Sequence, residues 1–223
     1  MSEYRIGLVH ATMNPLQPIY EAFRRLAPDV RPLSFMDEGL MDELNRTGEV
    51  TPRMLERLLD LARRAEESGA QAILLTCSAF SPYVEQIGGQ LGVPMQSADG
   101  AMLEAAVRRT SGRIAVLATL GSAGPTTARQ LEQLAAVLGK QVQVEHAIVP
   151  GARDALARGD MAAHDDIVRR AIRERDGACD VIVLAQMSMA GAGRGVAVSA
   201  GTSVISSPDY GVKAIMQAAE GRI

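Results

Sequence analysis

The chain has 223 residues, a formal net charge of −3 and a hydrophobic fraction of 47%, enough apolar material for one domain or for two lobes of roughly 100 residues. It has three Phe, four Tyr and no Trp, and its cations are interleaved with acids, as in Arg173-Glu-Arg175, so it lacks the basic face and stacking aromatics of a nucleic-acid binder. Two cysteines make no disulfide framework, no apolar run reaches membrane-spanning length, and the first apolar run is too short for a signal peptide. A cytoplasmic protein with reduced thiols is expected, with neither nucleic acid nor membrane as a partner.

In chain order, Arg5–His10 reads as a strand, Pro18–Leu26 as a helix with one apolar side and Val30–Ser34 as a short strand. Thr51-Pro52 opens a helix, Thr as the N-cap and Pro at the first position, that runs to about Glu67 before Gly69. Ala72–Thr76 is a buried strand, Ser81-Pro82 a helix start and Val93–Gln96 a short strand. Arg113–Ala118 and Val142–Ile148 are strands on either side of a helix opened by Gly124-Pro-Thr126. His164–Glu174 is a helix, Val181–Ala185 a strand, Thr202–Ser206 a short strand and Gly211–Ala219 the last helix. Strands alternating with helices predict an α/β fold with parallel sheets and right-handed crossovers.

The chain also repeats itself about 110 residues later. Ile6-Gly-Leu-Val-His-Ala-Thr12 parallels Ile114-Ala-Val-Leu-Ala-Thr119, and Gly48-Glu-Val parallels Gly159-Asp-Met. The run ending in Cys77 parallels the run ending in Gln186, and Ser97-Ala-Asp-Gly parallels Ser207-Pro-Asp-Tyr. Four matches in one order predict a duplicated unit. The expected lobes are residues 1–97 with 208–223, the last helix crossing back, and residues 98–207. Each would be a small parallel sheet flanked by helices, the two related by a pseudo-twofold. Ligands of open α/β sheets bind beyond the carboxyl ends of the strands, so the site is expected in a cleft between the lobes, lined by His10–Asn14, Thr76–Ser81, Thr119–Thr126 and Gln186–Gly195.

Cys77 ends a buried strand and precedes a helix start, where backbone N–H groups can lower a thiol pKa; on position alone, a small buried residue is an equal reading. Gln186 and Ser188 hold the matching place in the second half, and an amide there can donate hydrogen bonds but cannot exchange a proton usefully near neutral pH. Thr119, Ser122, Thr126 and Thr127 form a hydroxyl-rich loop suited to an anion or to helix capping. His10, Thr12 and Asn14 follow the first strand, His10 being a candidate base or a hydrogen-bonded strand-end histidine. Cys179 lies on the approach to its strand and reads as structural. His146 and His164 have no ligand-like neighbours, so no metal site is expected. Gly191-Ala-Gly193-Arg-Gly195 lacks dinucleotide-loop spacing and is expected to be a flexible loop.

Leu75-Thr76-Cys77-Ser78-Ala79, Leu184-Ala185-Gln186-Met187-Ser188 and Leu117-Ala118-Thr119 with Gly121-Ser122 resemble the two cysteine loops and the threonine loop of the aspartate/glutamate/hydantoin racemase superfamily, which also includes maleate isomerases and arylmalonate decarboxylases. The resemblance covers essentially the whole chain, which departs from the family in carrying Gln186 at the second thiol and in lacking the Asp-Ser-Gly start of glutamate racemases. It implies an enzyme without a cofactor or metal that acts on a small carboxylate. Cys77 and Gln186 would be its catalytic positions, Thr12, Asn14, Thr76, Ser78, Thr119, Ser122 and Ser188 would bind substrate, and His10 would be the candidate base. Isomerase-type chemistry through a single cysteine is the leading expectation. The alternatives are a decarboxylase or other lyase with Cys77 as proton donor, and a non-catalytic carboxylate-binding protein. Self-association is left open.

Overall fold

The structure is a computed structural model that describes residues 4–121 and 123–221. It divides into two compact units, the residues up to Gly100 with those from Pro208 onward, and Ala101–Ser207.

The first unit contains strands β1 (Tyr4–His10), β2 (Val30–Met36), β3 (Ala72–Leu75) and β4 (Met95–Ser97) in a parallel sheet of order β2-β1-β3-β4. Helices α1 (Leu16–Leu26), α2 (Gly39–Thr47), α3 (Pro52–Glu67) and α4 (Val84–Gly88) alternate with them. Helix α3 forms where the sequence says it should. Thr51 caps it by accepting from the Met54 amide at 3.4 Å, Pro52 needs no donor at the first turn, and Met54, Leu58, Ala62 and Ala65 make a buried stripe at helical spacing. That stripe joins the core cluster that holds Val9, Ala11, Ile73 and Leu75. Gly7 allows close approach: a Cβ there would sit 2.7 Å from Ala65 Cβ, so any side chain would push α3 off the strand.

Helix α5 (Ala98–Arg109) leads to the second unit, which contains β5 (Arg113–Ala118), α6 (Ala123–Val137), β6 (Gln143–Ile148), α7 (Ala152–Ala157), α8 (Met161–Arg175), β7 (Val181–Leu184), α9 (Ala190–Gly193) and β8 (Ser203–Ser206). Its parallel sheet has order β6-β5-β7-β8. Asp160 caps α8 through the Ala163 amide at 3.0 Å, and His164, Val168 and Ile172 form its buried stripe. The last helix, α10 (Ser207–Glu220), belongs to the first unit. There Arg25 grips Asp209 with two hydrogen bonds of 2.7 and 3.0 Å.

The repeat read in the sequence is also a repeat of hydrogen bonding. Ile6 pairs with Ala72 in one sheet as Ile114 pairs with Val181 in the other. Gln71 accepts from the Arg5 amide through Oε1 at 2.9 Å, and at the matching place Asp180 accepts from the Arg113 amide through Oδ2 at 2.9 Å. Asp180 also accepts from Thr110 Oγ1 and from the Ser111 amide, and these bonds hold its carboxyl down at about 2.

Three expectations change. Helices α2, α5 and α7 go beyond the sequence reading: α2 has no side-chain cap and buries only Leu40, while Ser97-Ala-Asp-Gly enters that reading only as part of the repeat. Ser97 Oγ instead accepts from the Gly100 amide at 3.0 Å and so caps a helix that runs on. Helices α1 and α10 also begin earlier than expected, at Leu16 and Ser207. Finally, the segment expected as a flexible glycine loop is partly helix α9. A Cβ at Gly193 would meet Leu184 Cδ1 at 2.7 Å, so that glycine lets α9 lie against β7. Among the described residues no helix is long and apolar enough to cross a membrane.

Candidate functional site

In each unit a candidate site residue stands just past the carboxyl end of the third strand. In the first unit Cys77 follows β3 with extended backbone (φ −112°, ψ 115°) and starts a 3-10 turn, Ser78–Tyr83. Its carbonyl accepts from the Phe80 amide at 3.2 Å and from Ser81 Oγ at 3.3 Å. The same Ser81 hydroxyl lies 3.3 Å from Asp99 Oδ2. The thiol is half-buried, 3.9 Å from Met41 Sδ, and packs on the α3 core cluster.

Burial pushes the Cys77 thiol up to about 11; the amides of Ala79 and Phe80 pull it down, and the charge of Asp99 adds to the rise. This corrects the expectation of a thiol activated by backbone N–H groups. The amides are there, but the cost of placing a thiolate in an apolar pocket exceeds what they return. Cys77 is therefore a thiol across the physiological range, a holder of a proton that reacts slowly as a nucleophile.

His10 and Thr76 lie inside the same unit. Thr76 Oγ1 donates to the Val9 carbonyl at 3.1 Å. Having spent its one hydrogen, it must accept from His10 Nδ1 at 2.7 Å. That assigns the tautomer, so His10 Nε2 accepts from Ser34 Oγ at 3.0 Å, and Tyr20 Oη reaches Ser34 Oγ at 3.1 Å. With its ring fully buried, His10 is pushed down to about 4. A neutral ring with both nitrogens engaged ties β1 to β2 and β3, and this argues against His10 as a base. The Thr76 hydroxyl is likewise spent within the sheet and is not offered to a substrate. Thr12 is half-buried and Asn14 exposed in the turn after β1, and Ser78 is half-buried at the start of the 3-10 turn.

In the second unit Gln186 follows β7 as Cys77 follows β3, with extended backbone (φ −129°, ψ 142°), and starts the 3-10 turn Met187–Met189. Its Oε1 accepts from the Thr119 amide at 2.8 Å. A backbone amide can only donate, so the carboxamide orientation is assigned and Nε2 is the group that this bond leaves over. Nε2 is buried and has no hydrogen-bond partner. Thr119 and Ser188 are both buried, and Ser122 lies outside the described residues. Cys179 is buried, with Sγ 3.6 Å from the Arg175 carbonyl, and burial raises its pKa, as a structural residue would show. Among the described residues no group of three or more His, Cys, Asp or Glu side chains could hold a metal ion.

The sequence reading placed Ser81 at the end of a lining segment but passed over Asp99, which lies against it. The signal was present: Asp99 falls in one of the four repeated segments, but an acid in the first turn of a helix is so ordinary that nothing marked it as a neighbour of Ser81.

The family model described as Asp/Glu/Hydantoin racemase matches residues 8–215. No curated protein matches the chain in sequence. Among solved structures, a glutamate racemase isoform from Bacillus anthracis is similar with a TM-score of 0.66 at 16% identity, over 100% of this chain and 84% of that one. An allantoin racemase from Klebsiella pneumoniae gives 0.68 at 18%, over 99% and 89%. An arylmalonate decarboxylase gives 0.65 at 19%, over 98% and 94%. At these identities the likeness is one of fold.

Proposed function

The chain belongs to the Asp/Glu/Hydantoin racemase family, and on that premise we propose that it is a cofactor-independent enzyme of the isomerase type, acting on a small carboxylate through one proton-carrying side chain, Cys77. The observation that carries this reading is the unlike pair in like places. Cys77 and Gln186 follow equivalent strands of equivalent units with the same extended backbone. One holds a transferable hydrogen and the other holds none.

Racemisation by two proton-exchanging side chains needs an acid or base on both faces of the reacting carbon. A carboxamide cannot serve on the second. What Gln186 offers is a donor: Nε2 carries two hydrogens and no partner, and Oε1 is anchored on the Thr119 amide. A donor fixed in this way suits a carboxylate oxygen, and suits better the more negative oxygen of an enediolate. Thr119 and Ser188, together with Thr12, Asn14, Ser78 and Ser122, complete the substrate-holding set of this reading. In the isomerase form Cys77 gives its hydrogen to one carbon and, as thiolate, takes one back from a neighbouring carbon on the same face. The thiol is regenerated and the net change is a hydrogen shift.

The high pKa of the thiol favours a second reading as a lyase. Loss of CO₂ from a substituted malonate leaves an enediolate, the Cys77 S–H bond breaks as a C–H bond forms, and the thiolate recovers a proton from water. Both readings use Cys77 as an acid first.

A screen of small carboxylic acids for solvent deuterium incorporation tests the proposal, with Gln186→Glu beside the wild type. Glutamate still accepts from the Thr119 amide but replaces the unbonded Nε2 donor with a negative oxygen. The expected result is incorporation by wild type, and a KM raised about 10- to 100-fold in the variant, as losing a charge-assisted hydrogen bond of about 1.5–3 kcal/mol implies. Saturable carboxylate binding with no incorporation and no CO₂ release would make the protein a binding module instead.

A further inference from the structure

Helix α2 lies against the thiol, and one side chain of α3 holds it there. Met41, in the first turn of α2, places Sδ 3.9 Å from Cys77 Sγ, within reach of a weak S–H···S bond. Packing alone gives α2 little hold. Leu40 is its buried residue, Met41 and Leu44 are half-buried on the α3 cluster, and Glu38 at its N-cap makes no capping bond. Charge supplies the rest. Arg57 on α3 donates through Nε to Asp37 Oδ2 at 2.8 Å and through Nη1 to Glu43 Oε2 at 2.8 Å. Asp37 turns its other oxygen to the amide of Gly39, the first residue of α2, at 3.0 Å. Gly39 leaves room for the guanidinium, since a Cβ there would sit 2.8 Å from Arg57 Nη2. The clasp thus ties the chain just before α2 to the middle of the helix, with a fork that fits two carboxylates as an ammonium would not.

We propose that Arg57 is a positioning residue for Cys77: by clasping Asp37 and Glu43 it holds α2 in place and seats Met41 on the thiol, so that water is kept from that side of Sγ until α2 moves aside. The inference rests on the reading of Cys77 as a proton carrier. A thioether in contact with sulfur has no hydrogen to donate to a thiolate, so the seated helix favours S–H over S⁻. The hydrogen passes to a substrate carbon on that side of the sulfur only once Met41 has yielded its place.

The three charged side chains of the clasp are 13–29% exposed, so solvent screens their attraction only in part. Removing the cation would leave two half-buried carboxylates facing each other, one before α2 and one within it, and breaking such a pair from one side is the costly way to break it. Arg57 works through the helix and not by its own charge on the thiol: what moves Cys77 is burial, the amides of Ala79 and Phe80, and Asp99.

Iodoacetamide alkylation of the full chain, followed by mass at the Cys77 peptide, tests the inference. At about pH 8, Arg57→Gln should raise the Cys77 rate roughly tenfold or more, as a tenfold larger thiolate fraction implies. Arg57→Lys, whose ammonium holds one carboxylate at a time, should fall between that variant and wild type. Met41→Ala leaves the clasp whole and should give a rise of its own. Adding Arg57→Gln to it should raise the rate by less than the product of the two effects, because both act through one contact. An unchanged rate in Arg57→Gln or in Met41→Ala would overturn the inference. So would a slower rate in Arg57→Gln, because a cation acting directly on the thiol favours the thiolate and its loss disfavours it. Full multiplication in the double variant would also overturn it, since Arg57 would then act elsewhere than through Met41. These rates are read without substrate, so their failure leaves the deuterium screen standing, and a failed screen leaves the clasp standing.

Discussion

Replacing Cys77 with alanine should lower turnover by roughly 10²- to 10⁴-fold, the usual contribution of a positioned general acid, while KM for the carboxylate changes little. The split follows from the roles assigned: the thiol supplies the hydrogen and the Gln186–Thr119 donors hold the substrate. Cys77→Ser should fare no better, because a hydroxyl is a far weaker acid than a thiol. Both variants should fold, since the half-buried thiol leaves only a small gap against Met41. Steady-state kinetics beside circular dichroism would check this. Undiminished turnover in the alanine variant would remove Cys77 from the mechanism.

The second large effect is on stability in acid. His10 is fully buried, and burial lowers it from 6.5 to about 4. In the unfolded chain it takes a proton at its ordinary value, so the folded state is favoured fully above about 6.5. That advantage is lost as pH falls through about 4, where the folded ring must charge as well. The difference is worth about 3 kcal/mol by linkage. Urea unfolding at neutral pH and at about pH 4 should therefore show wild type losing about 3 kcal/mol more than His10→Gln, whose amide can bond to Thr76 and Ser34 but does not titrate. Cys77 has the opposite sign. Its raised thiol favours the folded state below the ordinary thiol pKa, and that contribution fades as pH climbs toward about 11.

The framework was legible because the sequence wrote it twice. Ile6–Thr12 and Ile114–Thr119, with the two strands ending near Cys77 and Gln186, have the register of their sheets in their spacing. The α/β class and the placement of both loops after the third strands follow from that. Side-chain direction was not legible. Thr76 and Cys77 are neighbours in a polar loop, yet one hydroxyl turns into the sheet to meet His10 and the Val9 carbonyl while the adjacent thiol packs toward Met41. The pKa of Cys77 depends on a balance between burial and two amides, and a sequence shows the amides without the burial. Asp99 is 18 residues from Ser81 in sequence and meets it because β3 and β4 are hydrogen-bonded neighbours. Gln186 was readable as a lost thiol, but the donor it gained became visible only when the Thr119 amide fixed its oxygen.

The central claim is that hydrogen reaches the substrate carbon from one face only, carried by Cys77. The most direct measurement is turnover in deuterium oxide of a carboxylate whose reacting carbon becomes a stereocentre, with the product resolved on a chiral phase and read by NMR. The account predicts solvent deuterium at that carbon in a single configuration. Product of both configurations, each carrying solvent deuterium, would mean proton donors on both faces and would contradict it.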